Sequence, residues 1–130
     1  PYFDFTYTIY RVMDDIKKGI QYVFQTKNEL TLAISASGHG GMETVLCNLL
    51  EPGDKILIFT YGIWGDRAAD IANRLSGVVI KCEKQNDNFS LEEIENAVRR
   101  HLPRFVFVVQ GESSTGLYQP LEGIGEITRR

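Results

Sequence analysis

Three short apolar runs recur along this chain at intervals of roughly 25 residues, each separated from the next by a helical pattern. They are Lys55-Ile56-Leu57-Ile58-Phe59, Val78-Val79-Ile80-Lys81-Cys82 and Phe105-Val106-Phe107-Val108-Val109. The last is apolar at every position, the mark of a parallel strand buried on both faces. A further strand is expected earlier, near Leu30–Ser35. Parallel neighbours need a crossover long enough to hold a helix, and these intervals supply one. The pattern therefore predicts an α/β fold, a mainly parallel open sheet with flanking helices. Such sheets bind ligands beyond the C-terminal ends of their strands. That draws attention to three loops, Ser37–Gly41, Tyr61–Gly65 and Gly111–Gly116.

The helices are legible from their apolar spacing. Val12, Met13, Ile16, Ile20, Val23 and Phe24 form one stripe, with Asp14, Asp15, Lys17 and Lys18 on the wet face. Met42, Val45, Leu46, Leu49 and Leu50 predict a helix from about Gly41 to Leu50. Ala68, Ile71, Ala72 and Leu75 mark another. Ser90 with Glu93 is a capping box, and the helix behind it buries Leu91, Ile94, Ala97 and Val98. It ends at Arg99, Arg100 and His101, as the helix dipole favours. Glu51-Pro52-Gly53-Asp54 is a turn by composition, Gln85–Asn88 a polar loop, and a last helical piece is expected from near Pro120-Leu121.

A chain of 130 residues can bury one core, and 43% apolar with 24% charged residues suits a globular domain. A net charge of −3 with scattered basic residues gives no footprint for nucleic acid and no polybasic segment for a membrane surface. No nucleic-acid or membrane partner is expected. No run of 18 apolar residues occurs, so no spanning helix is expected either. Cys47 and Cys82, the two cysteines, lie in a helix and a strand pattern and predict free thiols in a reducing compartment. No Cys/His spacing suits zinc, so no metal site is expected. The chain starts at Pro1 and stops at Arg129-Arg130 directly after Ile124 and Ile127. We therefore expect residues 1–130 to be part of one domain of a longer protein, truncated at both ends.

The turn Ser37-Gly38-His39-Gly40-Gly41 leads from an apolar run into a helix. Free N–H groups and the positive end of the helix dipole meet there, and glycine lets a phosphate come close. A dinucleotide fingerprint from Gly38 would need glycine at position 43, where Glu43 stands, and no Gly-Lys-Ser/Thr occurs. One phosphate is the ligand this turn can hold. His39 admits three readings: a general base, a metal ligand or a residue ordering the turn. Trp64, the single tryptophan, covers a core edge or offers a flat platform for an aromatic ligand. Ser113, Ser114 and Thr115 serve as turn hydroxyls or as donors to a ligand oxygen. Gly111–Gly116 is not the Gly-x-Ser-x-Gly of a serine hydrolase, and no Asp/His partners follow. Glu92, Glu93 and Glu95 read as a solvated helix start.

Taken together these loops resemble one family. Gly19–Thr26, Ser37-Gly38-His39, Leu50–Asp54, Gly62-Ile63-Trp64-Gly65, Gly111–Gly116 and Gln119-Pro120-Leu121 are similar, in order and spacing, to the class V, fold-type I pyridoxal-phosphate aminotransferases. Within them they are most similar to the alanine–glyoxylate/serine–pyruvate branch. The resemblance implies part of the large cofactor-binding domain. It implies pyridoxal 5′-phosphate as cofactor, with Ser37, Gly38 and His39 at its phosphate, Trp64 stacked on its pyridine ring and Ser113 near its phenolic oxygen. It implies transamination between an amino acid such as alanine or serine and an oxo acid such as glyoxylate or pyruvate, by a homodimer. Peroxisomal or mitochondrial placement is implied likewise, with no targeting signal in this stretch. The lysine that holds the cofactor in the family would lie beyond Arg130. None of Lys17, Lys18, Lys27, Lys55, Lys81 and Lys84 has its Ser-x-Lys context, so no catalytic residue is assigned and the isolated chain is expected to be inactive. Gln110 stands where close relatives commonly carry histidine. Insect 3-hydroxykynurenine transaminases share the pattern and are the alternative reading. A non-catalytic α/β module binding some other phosphate is the alternative from another class.

Overall fold

The computed structural model of the chain describes residues 5–129. It divides into two compact units, Pro1–Ser37 and Gly38–Arg130. The first holds helix α1, Phe5–Val23. Its end is a Schellman turn: the Thr26 N–H donates to Gln21 O at 3.0 Å, the Gln25 N–H donates to Tyr22 O at 3.2 Å, and Gln25 takes the left-handed conformation usually given to glycine. Tyr10, Val12, Met13, Tyr22, Val23 and Phe24 are exposed in this unit. The strand expected at Leu30–Ser35 is absent, and these residues carry no regular structure. A strand exists only as part of a ladder, and among the described residues no strand pairs with this segment.

The second unit is built on three parallel strands, β1 (Lys55–Thr60), β2 (Val78–Glu83) and β3 (Phe105–Val108), in the order β2-β1-β3. Lys55 lies opposite Val78, and Ile56 lies opposite both Val79 and Phe105. β1 is buried on both faces, its successive side chains pointing to opposite layers. Ile56 and Ile58 face one side, where helices α2 (Gly38–Leu49) and α3 (Ile63–Arg74) supply Leu46, Ala68, Ala69, Ile71 and Ala72. Leu57, Phe59 and Tyr61 face the other, where Ile94 of α4 (Leu91–His101) and Phe89 complete a second cluster. Helix α5, Ile124–Thr128, adds Ile124 and Ile127 to it. The sheet thus has a helical layer on each face. Asp54 and Arg104, in the turns before β1 and β3, are joined by two hydrogen bonds of 2.8 and 3.0 Å. The Glu51 N–H and then Arg104 hold the Asp54 carboxyl below its ordinary pKa.

Some expected boundaries move. Helix α2 begins at Gly38 rather than Gly41, so the glycines read as a turn form its first turn. Trp64 is not in a loop but in the first turn of α3. Within Gly111–Gly116 lies the start of a small antiparallel hairpin, β4 (Gly111–Glu112) paired with β5 (Leu117–Tyr118) and closed by Gly116 at φ 75°. The last helix starts at Ile124, not near Pro120. Strand β3 is parallel as expected but only half-buried, since it is an edge strand among the described residues. The capping box is present as read, with the Glu93 N–H donating to Ser90 Oγ and the Ser90 N–H donating to Glu93 Oε2. Both thiols are free.

Candidate functional site

The chain runs from β1 through α3 to β2, then crosses back through α4 to β3 on the far side of β1. The two crossover helices lie on opposite faces, and the direction of winding reverses between β1 and β3. In open α/β sheets the crevice beyond the C-terminal ends of the strands at such a reversal is where ligands bind. The segments that leave β1 and β3 meet there. The Trp64 Nε1–H donates to Ser113 Oγ at 2.8 Å. Two residues singled out from separate loops, 49 positions apart, therefore form one unit. The Trp64 indole is half-buried, and Ser113 is exposed.

This pairing rests on a carboxylate that sequence reasoning passed over. Glu112 is 1% exposed. Its Oε2 accepts from the Trp64 backbone N–H at 3.1 Å, and its Oε1 accepts from the Ser114 N–H at 3.0 Å and the Ser114 hydroxyl at 2.6 Å. Ser114 Oγ in turn accepts from the Ile63 N–H at 3.1 Å. The first N–H groups of α3, which lack partners inside the helix, are thus met by the loop after β3, and a negative charge sits where the helix dipole favours it. Helix α3 has no side-chain cap of its own, because Gly62 holds the cap position. Only glycine fits there: a Cβ on Gly62 would collide with the Glu112 carboxyl group and lie 2.7 Å from Ser114 Oγ. One on Gly65 would collide with the Thr60 side chain and lie 2.9 Å from its Cα. The one sequence signal for Glu112 was an acidic residue next to a strand end, which is too common to act on.

Gly38 and His39 open α2, and Ser37 directly precedes it in the chain. A Cβ built on Gly38 or Gly41 meets no atom within 4 Å. No acidic residue stands in the first turn, so its positive end keeps its attraction for an anion. The structure brings Trp64 and Ser113 together by direct contact. Gly38 and His39 are related to them only through the shared core of α2 and α3.

A cleft of about 320 Å³ lies beyond the ends of β1 and β2, lined in part by Tyr61, Asp66, Glu83, Lys84 and Thr115. None of the five predicted site residues lines it. Lys84 donates to Glu93 at 2.8 Å and to Asn88 O at 2.9 Å, and Lys81 pairs with Glu83 and, at 2.9 Å, with Asp66. These bonds, Glu93 foremost for Lys84 and Glu83 for Lys81, hold both lysines above their ordinary pKa. Neither is an amine ready to attack an aldehyde. The Tyr61 hydroxyl is buried without a partner among the described residues, and burial first, then the charge of Glu112, pushes it up to about 12. Among the described residues no group of three or more His, Cys, Asp and Glu side chains could hold a metal, and no helix is long and apolar enough to cross a membrane.

Comparison with known proteins agrees with the fold. The family model described as Aminotransferase class-V matches residues 2–130. The alanine–glyoxylate aminotransferase of Rattus norvegicus is 52% identical over 123 residues, which is 94% of this chain and 30% of that protein. The (S)-ureidoglycine–glyoxylate transaminase of Bacillus subtilis is 35% identical over 120 residues, 91% of this chain and 29% of its own. The crystal structure of alanine–glyoxylate aminotransferase from Nostoc sp. superposes with a TM-score of 0.88 at 42% identity, covering 92% of this chain and 32% of that one. The chain spans about 30% of the length of the curated relatives it matches.

Proposed function

This chain belongs to the aminotransferase class-V family, and from that membership we propose that its full-length protein moves an amino group from alanine or serine to glyoxylate or pyruvate with pyridoxal 5′-phosphate. The observation that carries this reading is the Trp64–Ser113 pair at the reversal of the sheet. It presents a flat indole beside a hydroxyl at the point where an α/β sheet takes its ligand. The local chemistry fits the cofactor on independent grounds. Gly38 and Gly41 lack side chains without any packing need for it, which is what close approach of an outside phosphate requires.

In this proposal Ser37, Gly38 and His39 hold the phosphate at the start of α2, by N–H groups and the helix dipole. Trp64 covers one face of the ring and shields it from water, and its bond to Ser113 keeps both from turning away. The Ser113 hydroxyl, accepting from Trp64, keeps its own proton for a ring oxygen. The bound cofactor supplies the electron sink that lets an amino acid lose its α-proton. We carry the homodimer with the same reading, supported by the exposed apolar residues of the first unit.

The test is a substrate profile of the full-length protein loaded with pyridoxal 5′-phosphate. Glyoxylate is the acceptor, and alanine, serine and 3-hydroxykynurenine are the donors. We expect the highest kcat/KM with alanine. A clear preference for 3-hydroxykynurenine would replace the substrate assignment, and no transamination with any donor would sink the proposal. The isolated 130-residue chain is expected to turn over none of them.

A further inference from the structure

We propose that Glu112 is the positioning residue of the cofactor platform, holding the Trp64 indole and the Ser113 hydroxyl in one fixed arrangement. The inference rests on the function proposed above. Its geometry stands on the carboxylate alone. Glu112 is 1% exposed, and its two oxygens accept from three donors on two segments, the Trp64 N–H on α3 and the N–H and hydroxyl of Ser114 on the loop after β3. It sits one residue before Ser113 and binds the backbone of Trp64, so it grips both halves of the platform while touching neither working atom. Remove it, and the start of α3 and the segment after β3 keep the 2.8 Å bond from Trp64 Nε1 to Ser113 and the 3.1 Å bond from the Ile63 N–H to Ser114 Oγ, but lose the carboxylate that fixes the Trp64 and Ser114 backbones together.

Two features argue that more than helix capping is involved. A cap needs one acceptor from a local residue, as Ser90 supplies for α4. Here the acceptor comes from 48 positions away. Furthermore, the backbone at residue 62 is cut back to glycine where a Cβ would strike the Glu112 carboxyl group. Only an acceptor on both oxygens serves all three donors. An amide in its place must aim an NH₂ group at either Trp64 N–H or Ser114, donor against donor. Glu112→Gln is therefore a severe change despite its equal size.

The test uses the full-length protein labelled with 5-fluorotryptophan, the Trp64 resonance being the one lost in Trp64→Phe. In the cofactor-free protein Glu112→Gln is expected to shift or broaden that resonance. In titration with pyridoxal 5′-phosphate it is expected to raise the dissociation constant by roughly tenfold, the effect of one lost buried hydrogen bond. Gly62→Ala, which displaces the same carboxylate, should reproduce both changes. If Glu112→Gln does not fold, Ser114→Ala should move the resonance, and Ser114→Thr, which keeps the hydroxyl, should restore it. An unmoved Trp64 resonance in the folded variants overturns the proposal, whatever happens to melting temperature. Wild-type protein that fails to bind the cofactor would overturn the function proposed above, while the cofactor-free resonance would still decide the role of Glu112.

Discussion

The starts of α2 and α3 look alike in sequence and differ in cause. Gly38-His39-Gly40-Gly41 and Gly62-Ile63-Trp64-Gly65 both follow apolar runs, and both put glycine at the positive end of a twelve-residue helix. At α3 the glycines answer to the protein itself. Gly62 makes room for the Glu112 carboxyl group, and Gly65 lets the helix rest on Thr60. At α2 a Cβ on Gly38 or Gly41 meets nothing. One pair is required by internal packing, the other leaves space that packing does not use. Glycine at a helix start is thus no signature of ligand binding until one knows what a side chain would hit.

That contrast can be broken by substitution. Gly65→Ala should cost most, about 3 kcal/mol, because the neighbour is backbone and a β-branched side chain that cannot swing away. Chemical denaturation would read it, and a loss under 1 kcal/mol would mean that the contact relaxes easily. Gly62→Ala should cost about 2 kcal/mol, since it displaces a buried carboxylate on a flexible stem and leaves its donors unmet. The start of α4 is the control, a helix that closes itself. Ser90→Ala should cost about 1 kcal/mol in thermal melting. Glu93 there has its pKa lowered to about 2 by Lys84 first and then Ser90. A carboxyl group depressed in the folded state stabilises above its ordinary 4.5 and loses that contribution as pH falls toward 2. Wild type should therefore lose more stability than Glu93→Gln between those values. Gly38→Ala and Gly41→Ala should leave the fold intact or gain about 0.5 kcal/mol, as alanine does in a helix. Both should weaken pyridoxal 5′-phosphate binding by the full-length protein. A destabilised Gly38→Ala would erase the contrast.

The parts legible in the sequence were those decided by near neighbours. The three paired strands, the stripe of α1 and the box Ser90–Glu93 each need only a few consecutive residues to declare themselves. Trp64 and Ser113 were marked out by their loops, although nothing in the sequence says that they touch. What stayed hidden depends on distant chain. Glu112 matters through Trp64, 48 positions before it. The helical state of Gly38–Gly41 and of Trp64 was masked because glycine's local preference points to turns, while the N–H partners of α3 come from the loop after β3. Leu30–Ser35 shows the reverse error, in which an apolar run satisfies the local rule for a strand and joins no ladder among the described residues.

The order of the strands has a consequence for how the chain is made. β1 is the central strand and the first of the three to be synthesised, yet its second neighbour, β3, is completed only after both crossover helices. Until Phe105 to Val108 emerge, one edge of this strand, whose residues Ile56 to Thr60 are all buried in the folded unit, lacks the partner it has there and can pair with any other strand it meets. The vulnerable interval for this protein is thus its own translation. A pause between the codons for β2 and β3 should lower the soluble yield more than a pause of equal length after Val108.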